Sequence, residues 1–213
     1  VMTPYELRRD NVRRTMREVG LAALLVSSPA TRYYLSGFEL HDPQFNESAG
    51  HLVLSADGDD WLYTDPRYLD AARRLWDPGH IFIYGADAAA EMGRHLSARF
   101  QGVLGFEAKT LSFAFWQTFS ENLGSLALRP ADGLASRFRE IKDADEIARM
   151  RESCALNQRM MEWLPSQLDK GLTETGLAWA VERYFREHGA SELAFASIVA
   201  YGPNAALPHA IPS

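Results

Sequence analysis

An uninterrupted apolar run, Leu21 to Val26, constrains the fold of this chain more than any other stretch. Gly20 precedes the run and Ser27-Ser28-Pro29 follows it, and a short run bounded in this way is typical of a strand buried on both faces of a sheet. The residues before it have apolar side chains at helical spacing, with Thr3 as the predicted N-cap. A helix followed by a doubly buried strand predicts an α/β architecture.

The first predicted helix also carries a row of basic side chains. Arg9, Arg13 and Arg17 lie four residues apart and alternate with acidic residues. This spacing predicts a solvated, ion-paired face on the outside of the helix. A stripe that binds anions is the alternative interpretation.

The chain up to about residue 130 alternates between short apolar runs and helical patterns, which predicts a mixed sheet covered by helices. Two of the runs flank an Asp-Gly turn, the signal of an inserted β-hairpin. After the first pair of elements, the predicted helices are 31–35, 68–76, 88–100 and 112–123, and the predicted strands are 51–55, 61–64, 81–84, 103–106 and 126–128.

A change of composition at Arg129-Pro130-Ala131-Asp132-Gly133 predicts a domain edge. We therefore expect residues 1–132 to form one domain and residues 133–213 to begin a second. Residues 1–132 contain no G-x-G-x-x-G, P-loop, G-x-S-x-G or H-E-x-x-H pattern. The first domain is accordingly expected to have no catalytic residues of its own.

The second part of the chain predicts two helices and a strand. Asp143 and Glu146 form a capping pair at the start of a long amphipathic helix. Cys154 lies on the apolar stripe of that helix, so buried packing explains it better than nucleophilic chemistry does. A second helix is expected after Thr173, and an apolar run that begins at Phe195 predicts a strand.

Composition limits the classes of protein to which the chain can belong. A net charge of −6 and a pI near 5.5 argue against a nucleic-acid partner, which would require clustered Lys and Arg. A single cysteine excludes an intramolecular disulfide. The sequence has neither an 18-residue apolar span nor an N-terminal signal pattern, so we expect a cytoplasmic protein with no membrane partner.

Two places in the sequence offer candidate site residues. The loop 38–50 carries His41, Asp42 and Glu47, for which solvation is the simpler interpretation and metal or substrate binding is the alternative. His209 follows the predicted last strand and a Gly-Pro-Asn turn, a position at which catalytic groups often lie. An ordinary surface histidine remains the alternative for His209.

Five segments are more specific in combination than alone. They are Tyr34 to Phe38 (YLSGF), residues 141–151 (IKDADEIARMR), Gly171 to Glu174, Gly189-Ala190 and residues 195–209 (FASIVAYGPNAALPH). Their order and spacing resemble the Xaa-Pro aminopeptidase and prolidase family of metallopeptidases. The resemblance covers nearly the whole chain.

The resemblance implies a creatinase-type N-terminal α/β domain, with a mixed sheet flanked by helices, followed by the first two helices and the strand of an incomplete pita-bread catalytic domain. It implies hydrolysis of the peptide bond before proline in proline-containing peptides by an enzyme with two divalent metal ions, often manganese, cobalt or zinc. Family members are commonly homodimers. Their metal ligands follow the step that matches Pro208-His209, so we expect this chain to hold none and to be a fragment that is inactive alone.

The resemblance also assigns a role to His209, which would contact the substrate near the scissile bond without binding metal and would stabilise the oxyanion or move a proton. Tyr201, Gly202 and Asn204 are weaker candidates for substrate binding, since Gly-Pro-Asn is first of all a turn. Two alternatives keep the same fold: a metal-free amidinohydrolase and a catalytically silent peptide-binding module. If the N-terminal domain of one subunit extends over the site of its partner, we expect the loop 38–50 to make that contact.

Overall fold

The computed structural model describes residues 2–40, 50–168 and 170–213. The chain divides into two compact units, Val1–Ile141 and Lys142–Ser213. The first unit contains a six-stranded sheet with helices, and the described part of the second consists of helices and connecting segments.

The first unit extends past residue 132, where the sequence predicts a domain edge. Leu134, Ala135 and Phe138 follow the last strand and pack into the same buried cluster as the first helix. The backbone carbonyl of Phe138 also accepts a hydrogen bond from the Tyr34 hydroxyl at 3.2 Å. The stretch Arg129 to Gly133 is therefore the end of the last strand and the turn that follows it, within the unit.

The described residues hold six strands in one mixed sheet. The strands are β1 (Ala23–Val26), β2 (Gly50–Ser55), β3 (Trp61–Thr64), β4 (Ile81–Ile83), β5 (Val103–Phe106) and β6 (Ala127–Pro130). Their order across the sheet is β4-β3-β2-β1-β5-β6. The β1–β2 and β2–β3 pairs are antiparallel, and the β3–β4, β1–β5 and β5–β6 pairs are parallel. The predicted mixed sheet and the predicted hairpin are confirmed.

The helices begin where the sequence provides caps. Thr3 and Asp143 each form a capping box, with Glu6 and Glu146 respectively, which satisfies backbone donors at the two helix starts. No helix among the described residues is both long and apolar enough to cross a bilayer. The helices are α1 (Pro4–Glu18), α2 (Pro29–Ser36), α3 (Leu69–Arg73), α4 (Ala88–Ser97), α5 (Phe113–Glu121), α6 (Ala144–Trp163), α7 (Pro165–Leu168) and α8 (Glu174–Glu187).

The core of the first unit lies on both faces of the sheet, as the run Leu21 to Val26 predicts. Leu24 and Val26 belong to the cluster formed with α1 and α2, whereas Ala23 and Leu25 belong to the cluster formed with α4 and α5. Alternate residues of a strand point to opposite faces, so all four residues of β1 are buried. Each buried leucine contributes roughly 2 kcal/mol to folding.

The arginines of α1 do not form the solvated face that their spacing predicts. Arg9 Nε lies 3.2 Å from Asp60 Oδ2, Arg13 forms a second ion pair with Asp60, and Arg17 Nε donates to the Ala56 carbonyl at 2.9 Å. Asp60 is only 7% exposed. Arg17 is exposed, as predicted, but the prediction was wrong for Arg9 and Arg13. Their side of α1 packs across the end of the β2–β3 hairpin, a contact between segments that helical spacing cannot reveal.

The apolar stripe of α6 is not buried by the described residues of the second unit. Met150 and Met161 are 54% and 55% exposed, Cys154 is exposed, and Met160 is buried. The expectation that Cys154 is buried was therefore wrong. The two predicted helices themselves are confirmed as α6 and α8.

The predicted strand after Phe195 is not formed. The described residues of the second unit contain no strand, and Phe195 is 76% exposed. The chain instead enters a short 3₁₀ helix at Gly202–Ala206. An apolar run becomes a strand only when a neighbouring strand satisfies its backbone groups, and the described part of this unit offers no such neighbour.

Candidate functional site

The segment 201–213 is organised around the carboxylate of Glu174. Glu174 is the first residue of α8, and the side chain of the N-cap Thr173 accepts a hydrogen bond from the Gly176 amide at 3.1 Å. This cap fixes the start of the helix, so the position of Glu174 is set by regular structure. The side chain is buried, with 5% of its surface exposed.

Four donor groups from the segment converge on this carboxylate. Glu174 Oε1 accepts from Tyr201 N at 2.7 Å and from Asn204 Nδ2 at 3.2 Å. Oε2 accepts from Asn204 Nδ2 and Ser213 N, each at 3.0 Å, and from Ser213 Oγ at 2.8 Å. These hydrogen bonds, first of all that from the Tyr201 amide, hold the pKa of Glu174 at about 2, because they favour the charged form.

His209 lies inside the loop that Glu174 closes. The Leu207 amide donates to the Asn204 carbonyl at 3.0 Å, and the Ala210 amide donates to the Leu207 carbonyl at 3.2 Å, so one turn precedes Pro208 and His209 and a second turn contains them. Ala210 is buried, whereas the imidazole of His209 is exposed. The arrangement presents an imidazole to the outside from a segment that is fixed before and after it.

The structure brings Tyr201, Asn204 and His209 onto one segment, but it gives them different surroundings. Asn204 uses its side-chain nitrogen to bind Glu174, and Tyr201 uses its backbone amide in the same way. Tyr201 is 41% exposed. Substrate binding by Tyr201 and Asn204 stays a prediction, since the contacts seen here are internal to the unit.

Sequence reasoning missed Glu174 as a member of this site. Its contacts reach Tyr201 and Ser213, which lie 27 and 39 residues further along the chain. An acidic residue directly after an N-cap is explained by the helix dipole alone, so the sequence carries no signal for these partners. Glu174 does fall in the Gly171 to Glu174 segment that contributes to the family resemblance.

The described residues offer no cluster of free metal ligands. Within residues 2–40, 50–168 and 170–213, no group of three or more His, Cys, Asp or Glu side chains could hold a metal ion. Both oxygens of Glu174 accept hydrogen bonds from N–H and O–H donors, which a cation would have to displace. The described residues therefore do not fit a divalent metal. The loop candidates His41, Asp42 and Glu47 lie outside the described residues.

A polar cleft of about 730 Å³ lies in the first unit, between α1, the hairpin turn and the start of β4. Several of its charged side chains form ion pairs or hydrogen bonds with each other. Asp60 faces the arginines of α1, and the His80 ring nitrogens lie 2.8 Å from Asp77 Oδ2 and 2.9 Å from Asp59 Oδ1. These contacts join neighbouring secondary-structure elements, so the charged residues of the cleft have a structural role.

An apolar groove of about 670 Å³ crosses the second unit. Side chains of α6 and α8 line it together with the backbone stretch 190–199. Cys154, Met161 and Phe195 contribute to its walls. Glu192 is the one acidic side chain among its lining residues, and most of the others are apolar, so its character is that of a surface for packing.

Comparison with known proteins agrees with this architecture. Residues 8–141 match the model of the creatinase/prolidase N-terminal domain, and residues 148–213 match the model of metallopeptidase family M24. The fold is thus that of a creatinase-type α/β domain joined to part of a peptidase domain. The chain belongs to the creatinase/prolidase family, with its second unit in metallopeptidase family M24. The family predicted from the five segments is confirmed.

Individual relatives give the extent of the likeness. The uncharacterized peptidase YqhT of Bacillus subtilis (strain 168) is 24% identical over 207 residues, which are 97% of this chain and 56% of the relative. The Xaa-Pro dipeptidase from Bacillus anthracis superposes with a TM-score of 0.83 at 25% identity, over 98% of this chain and 56% of that protein. A recombinant prolidase from Thermococcus sibiricus superposes with a TM-score of 0.85 at 23% identity over 100% of this chain and 58% of its own, and shows the fold alone. The chain spans about half the length of the relatives that it matches.

Proposed function

We propose that this chain is part of a metal-dependent aminopeptidase or dipeptidase that hydrolyses the peptide bond before proline. One observation carries the proposal: residues 148–213 match metallopeptidase family M24, on a fold shared with a protein identified as an Xaa-Pro dipeptidase. The substrate would be a proline-containing peptide. The complete enzyme would act in the cytoplasm as a homodimer.

His209 is the residue of this chain that we assign to the chemistry. An exposed imidazole on a fixed segment can donate a hydrogen bond to a substrate carbonyl and can stabilise the negative charge that develops on its oxygen. An imidazole in contact with the substrate can also accept or donate a proton. Tyr201 and Asn204 would border the substrate, with Asn204 also tied to Glu174.

Two divalent ions, manganese, cobalt or zinc, would supply an activated water in the complete enzyme. In this proposal their ligands lie on residues that the chain does not contain, and the chain alone is inactive. The role of His209 does not depend on which metal is bound.

Peptidase assays on the longer protein that contains this chain test the proposal. We expect cleavage of Xaa-Pro peptides that is abolished by a chelator and restored by manganese, and no cleavage by residues 1–213 alone. Hydrolysis of an amidino substrate that is insensitive to chelator would instead identify the metal-free amidinohydrolase. Peptide binding without turnover would identify a silent binding module, and either result would reject the proposed function.

A further inference from the structure

We propose that Glu174 is a positioning residue, which fixes the segment 201–213 on α8 and thereby determines where His209 is presented. Both oxygens of Glu174 are occupied by donors from this segment, so the residue acts through the segment and not on the substrate. The meaning of this role for catalysis rests on the proposed function. The structural role, in which one carboxylate orders the segment 201–213, does not depend on the proposed function.

The segment has little regular structure with which to hold itself. Gly202 adopts φ +50°, a conformation that favours glycine, and Pro203, Pro208 and Pro212 lack backbone donors. The hydrogen bonds within the segment are local, each joining residues three apart, such as Asn204 N to the Tyr201 carbonyl at 3.1 Å. Local turns of this kind do not anchor a loop to the rest of a fold.

Contacts from the first turn of α8 supply that anchor. Glu174 binds the beginning of the segment at Tyr201, its middle at Asn204 and its end at Ser213. The Thr175 amide adds a hydrogen bond of 3.3 Å to the Ser213 carbonyl. The two ends of the loop are therefore tied to the same side chain, and His209 lies between them.

A carboxylate suits this task better than a neutral side chain. Oε1 of Glu174 accepts two hydrogen bonds and Oε2 accepts three. Hydrogen bonds to a charged acceptor are about twice as strong as those between neutral groups. Glutamine at position 174 would keep the shape but would place an NH₂ group against at least one of these donors. The Glu174→Gln variant therefore removes the anchor with a minimal change of volume.

Amide hydrogen exchange on the 213-residue chain tests this role. In Glu174→Gln we expect exchange at the Tyr201 amide to rise by about tenfold or more, because hydrogen bonds to a charged group are lost. Amides in the middle of α8, such as Val181, should keep their exchange rates. The Hε1 resonance of His209 should sharpen as the loop gains mobility, a change that general destabilisation would not confine to one of the six histidines.

Glu187→Gln is the matched control, since Glu187 is an exposed carboxylate on the same helix, 3.8 Å from Arg183. It should leave both the Tyr201 exchange rate and the His209 resonance unchanged. If Glu174→Gln does not fold, Asn204→Ala removes one donor and keeps the carboxylate, and a smaller increase at Tyr201 is expected. Exchange at Tyr201 that matches the control in whichever of the two variants folds would overturn the proposal.

These measurements separate the positioning role from the peptidase proposal. Faster exchange at Tyr201 with no Xaa-Pro cleavage by the longer protein would keep the role of Glu174 and reject the proposed function. Cleavage with unchanged exchange in Glu174→Gln would do the reverse.

Discussion

The carboxylate of Glu174 and the backbone amide of Tyr201 are hydrogen-bonded at 2.7 Å although 27 residues separate them in the chain. The pairing joins the start of α8 to the loop that carries His209. It places a buried, fully hydrogen-bonded acid beneath an exposed imidazole segment. The acid and the imidazole thus have separate tasks, one structural and the other open to a ligand.

The pH dependence of stability should reveal Glu174 directly. Its pKa is lowered from an ordinary value of 4.5 to about 2, so its contribution is fully present above the unfolded pKa and is lost as the pH falls towards the folded pKa. Glu174→Gln should lower the melting temperature of the second unit by several degrees at neutral pH, and this difference should shrink as the pH falls from the unfolded pKa through the folded one. Calorimetry of both chains across this range measures the difference, and a difference independent of pH would contradict the assignment.

Asp60 should be far more important to the first unit than an ordinary surface acid. It is buried between Arg9 and Arg13, and its removal would leave their charges uncompensated. Asp60→Ala is expected to cost about 3 kcal/mol of unfolding free energy, whereas Asp70→Ala on the exposed side of α3 should change it by less than about 0.5 kcal/mol. Urea denaturation compares the two variants. Equal effects would mean that the arginine contacts with the hairpin are not formed.

His80 is expected to titrate above an ordinary histidine. Its pKa is raised chiefly by the hydrogen bond to Asp77, with a further contribution from Asp59. A histidine whose folded pKa is raised stabilises the fold fully below its unfolded pKa, and this contribution is lost as the pH rises through the folded value. Asp77→Asn should therefore lower the pKa of His80 in an NMR titration, and Asp57→Asn in the exposed hairpin turn should not.

Cys154 should react readily with a thiol reagent in the native chain. The side chain is exposed on α6, and burial is the factor that usually protects a cysteine with no disulfide partner. We expect a rate close to that of the chain unfolded in urea. Protection by orders of magnitude would show instead that the stripe of α6 is covered, as its sequence pattern predicts.

Local signals in the sequence predict much of this fold. The capping residues Thr3 and Asp143, the run from Leu21 to Val26 and the Asp-Gly hairpin all behave as expected, because each depends on nearby residues. The failures involve partners distant in sequence. Arg13 contacts a hairpin 47 residues away, and the apolar run at Phe195 has no neighbouring strand among the described residues.

In the candidate site, the assignment of His209 stays a prediction, and Glu174 is a residue that only the structure adds. His209 is predicted from its turn and from the family resemblance, since both are properties of one short stretch. Glu174 is not predicted, because an acid at the start of a helix has an adequate local explanation. Only the folded chain shows that it gathers donors from a segment that begins 27 residues later.

The most direct test of the proposed function is the rate of Xaa-Pro dipeptide cleavage by the longer protein with His209 replaced. His209→Ala should lower kcat/KM by about a hundredfold or more, as expected for loss of a group that stabilises the oxyanion or transfers a proton. His188→Ala removes an exposed histidine at the end of α8 and should leave kcat/KM unchanged. A His209→Ala enzyme as active as the His188→Ala control would contradict the assignment of His209 to the peptidase site.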